Sequence, residues 1–268
     1  MNIDAYFQRI GYCGSRTATL ENLHALTNAH TNAIPFENLD VLLCRPISLS
    51  VESIFQKLVV ERRGGYCFEQ NGLFLAVLTQ LGFKATPLSA RVRIDRPRNF
   101  IPSRTHMFIR VDFGDKSWLT DVGVGGLSLT KAIELNNDEM QTTPHEARRI
   151  VREGKLFFHQ AKLGKEWSDV CEFTLEEMPP IDQELGNWFT STHPDSHFKN
   201  RLIIARAGED GTRYTLLNDE FKIRNREGEA QLTKINSSED LLYILKIHFD
   251  LSFPSGTRFG ESKLPWPT

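Results

Sequence analysis

A cysteine behind two glycines and ahead of a helical pattern is the residue of this chain best suited to nucleophilic chemistry. Cys67 follows Arg63-Gly64-Gly65-Tyr66 and precedes Phe68-Glu69-Gln70-Asn71-Gly72. Phe74 and Leu78 recur four residues apart, as do Leu73, Val77 and Leu81, and Gly82 supplies a stop. The pattern predicts a helix of roughly four turns with Cys67 in its first turn. There the unpaired backbone N–H groups and the helix dipole favour a thiolate over a thiol. Gly64 and Gly65 let the backbone turn tightly and leave room beside the sulfur for a substrate carbonyl. The competing reading is a small buried apolar cysteine, the usual place of a free thiol.

A thiolate needs a base, and a base needs an orienting group. The run Arg104–Val111 reads as a strand with Met107, Ile109 and Val111 on one face. Asp112-Phe113-Gly114-Asp115 turns the chain into a second strand, Lys116–Val122. Opposed residues of an antiparallel hairpin share a face. A four-residue loop sets His106 opposite Asp121, a two-residue loop makes them diagonal neighbours on one face, and an odd loop separates them. Either even loop lets a carboxylate orient an imidazole that reaches Cys67. For His106 alone the plain reading is a core or rim residue satisfied by a backbone carbonyl.

The elements that must hold these groups fall into three stretches. Residues 1 to about 82 read as helices: one begins with Ile3, Phe7 and Ile10, one follows Thr17 with Leu20 and Leu23, and Ser50 caps a third before the cysteine helix. Ile34-Pro35-Phe36-Glu37-Asn38-Leu39-Asp40 breaks them as an ordered connector. From about Thr86 to Leu175 the pattern turns strand-like, in short runs separated by glycine and Asx turns. After Met178-Pro179-Pro180 come a short helix, three strands within residues 202–223, and a late helix capped by Ser238.

Composition narrows the partners. Of 268 residues 40% are hydrophobic and 25% charged, and 32 Lys plus Arg against 34 Asp plus Glu leave a net charge of −2. No nucleic-acid or polybasic membrane partner is expected from that balance. Cys13, Cys44, Cys67 and Cys171 lack zinc-ligand spacing and fit reduced cytosolic thiols, so no metal site is expected. The start Met1–Phe7 has no basic segment followed by an apolar one, and a cytoplasmic location is expected. His24, His30, His145, His159, His193, His197 and His248 show no metal spacing and read as surface or structural residues.

Three separated motifs then point one way. Ile34-Pro35-Phe36-Glu37-Asn38, Arg63-Gly64-Gly65-Tyr66-Cys67 and Asp121-Val122-Gly123-Val124-Gly125 closely resemble the arylamine N-acetyltransferases, and the bacterial type in particular, which includes N-hydroxyarylamine O-acetyltransferases. Gln141-Thr142-Thr143-Pro144-His145 and Ser196-His197-Phe198 extend the resemblance over essentially the whole chain. It implies an α+β fold with a papain- or transglutaminase-like core: a helical domain over 1–82 carrying the cysteine, a β-barrel domain over 83–178 carrying His106 and Asp121, and an α/β lid over 179–268. It implies a Cys67–His106–Asp121 triad and an acceptor pocket at Phe36, Val92 and Val124. Acetyl-CoA is then the co-substrate, with no tightly bound cofactor, and Ser103, Gly126 and Lys199 are the positions matched to CoA contact. The chain departs from the family where Val124 follows Asp121-Val122-Gly123, a position often aromatic; Val92 also stands where phenylalanine is frequent.

The chemistry implied is acyl transfer through a cysteine thioester, with the N–H groups of Cys67 and Phe68 as natural oxyanion donors. A cysteine hydrolase or amidase would use the same triad, with water in place of the amine. A binding protein with a vestigial triad is the third reading. Arg63 and Glu37 are expected to form a buried pair joining the connector to the cysteine loop, of which losing one partner costs on the order of 3–5 kcal/mol. Gly123-Val124-Gly125-Gly126 lacks the Lys-Ser/Thr ending of a P-loop, so nucleotide cleavage is not expected, though its N–H groups suit a CoA pyrophosphate.

Overall fold

Side-chain caps decide where the first helices begin. In the computed structural model, which describes residues 1–267, Asn2 Oδ1 accepts from the N–H groups of Asp4 and Ala5 and starts α1 (Ile3–Ile10). Thr19 caps α2 (Leu20–Ala33), two residues beyond Thr17. The connector makes a two-residue strand, β1 (Phe36–Glu37), and a single turn, α3 (Leu39–Leu42). Ser50 caps α4 (Val51–Phe55), which runs into a π-helical turn over Gln56–Val60. The cysteine helix is α5, Cys67–Gln80, with Cys67 its first residue. Leu23, Leu26, Leu58, Leu73, Phe74, Val77 and Leu78 form the core of this layer, joined by Ile109 and Val111.

Seven antiparallel strands follow: β2 (Lys84–Val92), β3 (His106–Phe113), β4 (Lys116–Thr120), β5 (Ile133–Glu134), β6 (Arg148–Glu153), β7 (Leu156–Leu163) and β8 (Glu166–Glu177). They lie in the order β5-β4-β3-β2-β8-β7-β6. β3 alternates as its sequence suggests. Ile109 and Val111 pack on the helices, while Phe108 joins Leu88, Ala90, Leu119 and Phe173 inside the curled sheet. The two ends of the sheet nearly meet. Gln141 exchanges both backbone hydrogen bonds with Arg148 of β6, at 2.7 and 2.8 Å. Its side-chain amide accepts from the Glu134 N–H of β5 at 2.7 Å and donates to the Glu134 carbonyl at 2.9 Å. The side chain thus acts as an extra peptide group between two strands that are not adjacent, and the sheet becomes barrel-like.

The last third begins with α6 (Pro180–Thr192) and a 3₁₀ turn over His197–Lys199. Four strands, β9 (Ile203–Ala207), β10 (Arg213–Leu217), β11 (Glu220–Arg224) and β12 (Ala230–Lys234), precede α7 (Ser238–Phe249). The N-cap of α7 is Ser237, whose hydroxyl accepts from the Asp240 N–H at 3.0 Å, one residue before the expected Ser238. The second sheet has the order β1-β9-β10-β11-β12, so Phe36–Glu37 is its edge strand. A segment from the helical third therefore closes the C-terminal sheet. Helices, a seven-stranded barrel-like sheet and a second mixed unit make the α+β class expected. Among the described residues no helix is long and apolar enough to cross a membrane.

Candidate active site

The connector, the cysteine loop and α5 are joined by buried charge. Arg63 donates to Glu37 Oε1 from Nη2 at 2.7 Å and from Nε at 3.0 Å, and reaches Asp40 at 3.1 Å. Lys57 pairs with Asp40 at 2.7 Å and with Glu69 at 2.6 Å. Glu69 Oε2 in turn accepts the Tyr66 N–H at 3.1 Å, which fixes the start of α5. The glycines before Cys67 serve this junction. A Cβ on Gly64 would strike the Pro35 carbonyl, and one on Gly65 would lie 2.7 Å from Glu69 Oε2. The space foreseen for a substrate carbonyl is occupied by the protein itself.

Cys67, His106 and Asp121 converge. Cys67 is buried, 5% exposed, with Sγ 3.7 Å from the Thr105 carbonyl. The β3–β4 hairpin has the two-residue turn Gly114-Asp115, since Phe113 pairs with Lys116. Continuing that register puts Asp121 across from Phe108, one diagonal step from His106. Asp121 Oδ2 meets His106 Nε2 at 2.7 Å, and both side chains are 2% exposed. With Nε2 taken, Nδ1 is the ring nitrogen left for Cys67. The Phe108 ring runs parallel to the imidazole, with 6° between planes and centroids 6.3 Å apart.

Asn71 is the residue the sequence reading missed. Its Nδ2 donates to Asp121 Oδ1 at 3.0 Å and to the Met107 carbonyl at 2.7 Å, and its Oδ1 accepts the Val122 N–H at 3.0 Å. The Gly123 N–H adds a further bond to Asp121 Oδ1 at 3.0 Å. Asn71 stands four residues after Cys67, so one face of α5 carries both the sulfur and the amide that orients the carboxylate. The signal was a polar residue one turn along from the cysteine. Gly123 must be glycine here: a Cβ would lie 2.8 Å from Cys67 Cα and 2.6 Å from Asn71 Nδ2.

The electrostatics follow from burial and partnership. Burial alone would lower the His106 pKa, but the charge and hydrogen bond of Asp121, with a hydrogen bond from Cys67, push it up to about 10. Burial would raise the Asp121 pKa, and the His106 charge, with bonds from His106, Asn71 and Gly123, holds it below the usual carboxylate range. A folded pKa raised from 6.5 to about 10 gives stability that is complete below pH 6.5 and lost as pH rises through about 10. Denaturant unfolding of the wild type and of Asp121→Asn should therefore differ more at pH 7.5 than at pH 10.5. An undiminished difference at the higher pH would mean that His106 is not held as the cation.

Cys67 and His106 line a cleft of about 290 Å³. Phe36, Val92, Val124 and Ser103 line it too, as does His197, a surface histidine that reaches the cleft. Gly126 and Lys199 are not among the lining residues. Gly126 packs on β10, where a Cβ would be 3.0 Å from Thr215 Cγ2, and Lys199 is exposed with Nζ 3.4 Å from the Thr192 carbonyl. Arg96 and Arg201 bring positive charge to the lining from two sides, one from the β2–β3 loop and one from before β9. At the start of α5 the Glu69 and Gln70 N–H groups bond to the Tyr66 carbonyl, while those of Cys67 and Phe68 find no acceptor among the described residues. His30 is a core residue between Tyr6 and Gln70, at 2.8 and 2.7 Å. His145 bridges Thr130 and the Thr212 carbonyl. Among the described residues no cluster of metal-ligating side chains occurs.

The chain belongs to the N-acetyltransferase family, whose sequence pattern matches residues 19–257. Within that class its relatives are arylamine N-acetyltransferases. The chain is 42% identical to the Escherichia coli (strain K12) enzyme over 82% of its own length and 78% of the relative's. It is 41% identical to the Mycolicibacterium smegmatis enzyme over 90% and 89%. Its structure is similar to that of Mycobacterium marinum arylamine N-acetyltransferase in complex with CoA, with a TM-score of 0.89 and 36% identity over 93% of this chain and 92% of the other.

Proposed function

We propose that the protein moves an acetyl group from acetyl-CoA to arylamines, N-hydroxyarylamines or hydrazines, on nitrogen or on the hydroxylamine oxygen, through a thioester on Cys67. The observation that carries this reading is the 2.7 Å His106–Asp121 contact beside a cleft that both Cys67 and His106 line. The nucleophile of such a step is a thiolate, and His106, oriented by Asp121, is the group beside the sulfur that holds the proton. The thiolate adds to the thioester carbonyl, and the oxyanion faces the open N–H groups of Cys67 and Phe68. Collapse expels CoA, which leaves as the thiol with the His106 proton. The amine then adds to the acyl carbon, His106 takes its proton, and Cys67 departs as the thiolate that began the cycle.

Phe36, Val92 and Val124 are assigned to the acceptor side. Ser103 is assigned to CoA, with Gly126 and Lys199 further out and Arg96 and Arg201 as countercharges for its phosphates. The M. marinum relative bound to CoA supports this choice of donor. Incubation with acetyl-CoA, with and without aniline, tests the reading by CoA release. A transferase turns over only with the amine, a hydrolase releases CoA without it, and a scaffold releases none.

The acceptor side carries a prediction of its own. A ring contact is worth roughly 0.5–1.5 kcal/mol beyond its area, about two- to tenfold in rate constant. Val124→Phe restores such a ring and narrows the cleft. It should lower kcat/KM for bulky para-substituted amines relative to aniline by that factor, with little effect on acetylation of Cys67. Equal slowing of both half-reactions would make Val124 part of a surface shared by both substrates.

A further inference from the structure

The wall that carries Gly123 and Val124 belongs to a closed turn. Its ends meet where the Leu129 N–H donates to the Asp121 carbonyl at 2.7 Å. Inside it the Ser128 N–H donates to the Gly125 carbonyl at 3.0 Å, and Ser128 Oγ accepts the Gly125 N–H at 3.1 Å. Asn71 and Asp121 fix the leading end of the turn. The trailing end is held from the C-terminal sheet. Arg213 of β10, 2% exposed, donates from Nη2 to the Ser128 carbonyl at 2.9 Å.

Arg213 is itself fixed by one carboxylate. Glu146 Oε2 accepts from Arg213 Nη2 at 2.7 Å, and Oε1 from Arg213 Nε at 3.2 Å. The same carboxylate takes Arg148 Nη2 at 3.0 Å and Arg224 Nη2. This planar two-point grip leaves the second Nη2 hydrogen of Arg213 only one direction, toward Ser128. Three arginines on one buried carboxylate exceed what charge balance in a core requires. The surplus guanidinium hydrogen goes to a turn that lines the cleft.

We propose that Arg213, through the Ser128 main-chain carbonyl, and Ser128, through its hydroxyl on the Gly125 N–H, position the acyl-acceptor wall together, with Glu146 setting the arginine's orientation. The C-terminal sheet thereby helps to shape the pocket without touching substrate. This rests on the assignment of Val124 to the acceptor side. Lysine at 213 keeps the charge beside Glu146 but cannot grip the carboxylate at two points and reach Ser128 as well.

Arg213→Lys and Ser128→Ala test the pair through the ratio of kcat/KM for the amine to kcat/KM for acetyl-CoA. Each constant reports one half-reaction of a ping-pong cycle, and partial unfolding cancels from the ratio. The ratio should fall about three- to tenfold in Arg213→Lys and about two- to threefold in Ser128→Ala, as for one lost hydrogen bond. The fall should be larger for a bulky arylamine than for aniline. Ser128→Ala removes only the hydroxyl's bond to the Gly125 N–H and keeps the carbonyl that Arg213 holds, so it tests the turn and not the arginine. A wild-type ratio in folded Arg213→Lys overturns the proposal, whatever Ser128→Ala shows. If Arg213→Lys does not fold, Arg213→Gln, which leaves Glu146 paired with Arg148 and Arg224, takes its place. A wild-type protein that takes no acetyl from acetyl-CoA would instead sink the functional reading itself.

Discussion

Cys67→Ser is expected to abolish turnover with the fold intact. Serine is close to isosteric and makes no new demand on a site that is 5% exposed. What it lacks is an accessible anion at neutral pH, so the first half-reaction loses its nucleophile and several orders of magnitude in rate. Intact-mass analysis after acetyl-CoA treatment should show one acetyl group on the wild type, mapped to Cys67, and none on the variant. The other thiols make poor alternatives. Cys13 and Cys44 are exposed and do not line the cleft, and burial pushes the Cys171 thiol up. Label on any of these three would move the active site.

Asp121→Asn should cost roughly four orders of magnitude in kcat, the loss seen when a triad aspartate becomes an amide. The variant keeps an oxygen for the bonds from Asn71 Nδ2 and the Gly123 N–H, so the surrounding backbone is held. The new NH₂ faces His106 Nε2, which must then accept and carry its proton on Nδ1. That ring presents a donor to Cys67 where the cycle needs a base, and no carboxylate is left to stabilise the imidazolium. A loss of less than tenfold would show that the 2.7 Å contact plays no part in the reaction.

Local rules reach some of this and stop at definite places. The cysteine helix was legible because its apolar residues keep the helical period and a glycine stops it. That His106 and Asp121 share a face followed from the even parity of one hairpin loop. The run Asp112–Asp115 suggested four loop residues and an opposed pair, and the pairing of Phe113 with Lys116 shortens the loop to two and makes the pair diagonal. The motifs around Phe36, Cys67 and Asp121 carried the family. Partners that meet only in space were out of reach. Glu37 and Arg63 were paired by motif, but Lys57, Asp40 and Glu69 complete that cluster from three other elements. Asn71 looked like one polar residue in an amphipathic pattern. β12 is exposed along its whole length, so no buried face marks it by alternation. β1 is two residues long and exists only because β9 pairs with it. Gly64 was read as room for substrate, because spacing shows that space is needed and not who fills it.

A curled sheet that stopped short of closure would leave the outer sides of β5 and β6 as two rows of unspent N–H and C=O groups. Such rows invite strands from other molecules, and most open sheets blunt them with charge, proline or a covering helix. Here the gap is spanned by a single residue whose main chain satisfies one side and whose amide satisfies the other. Glutamine is long enough to do this, and of its near relatives only asparagine has both the donor and the acceptor; glutamate lacks the donor and asparagine lacks a methylene of reach. The join between β5 and β6 at this point therefore rests on one uncharged side chain, and deamidation at 141 would strip the Glu134 carbonyl of its donor while leaving the main-chain pairing with Arg148 in place.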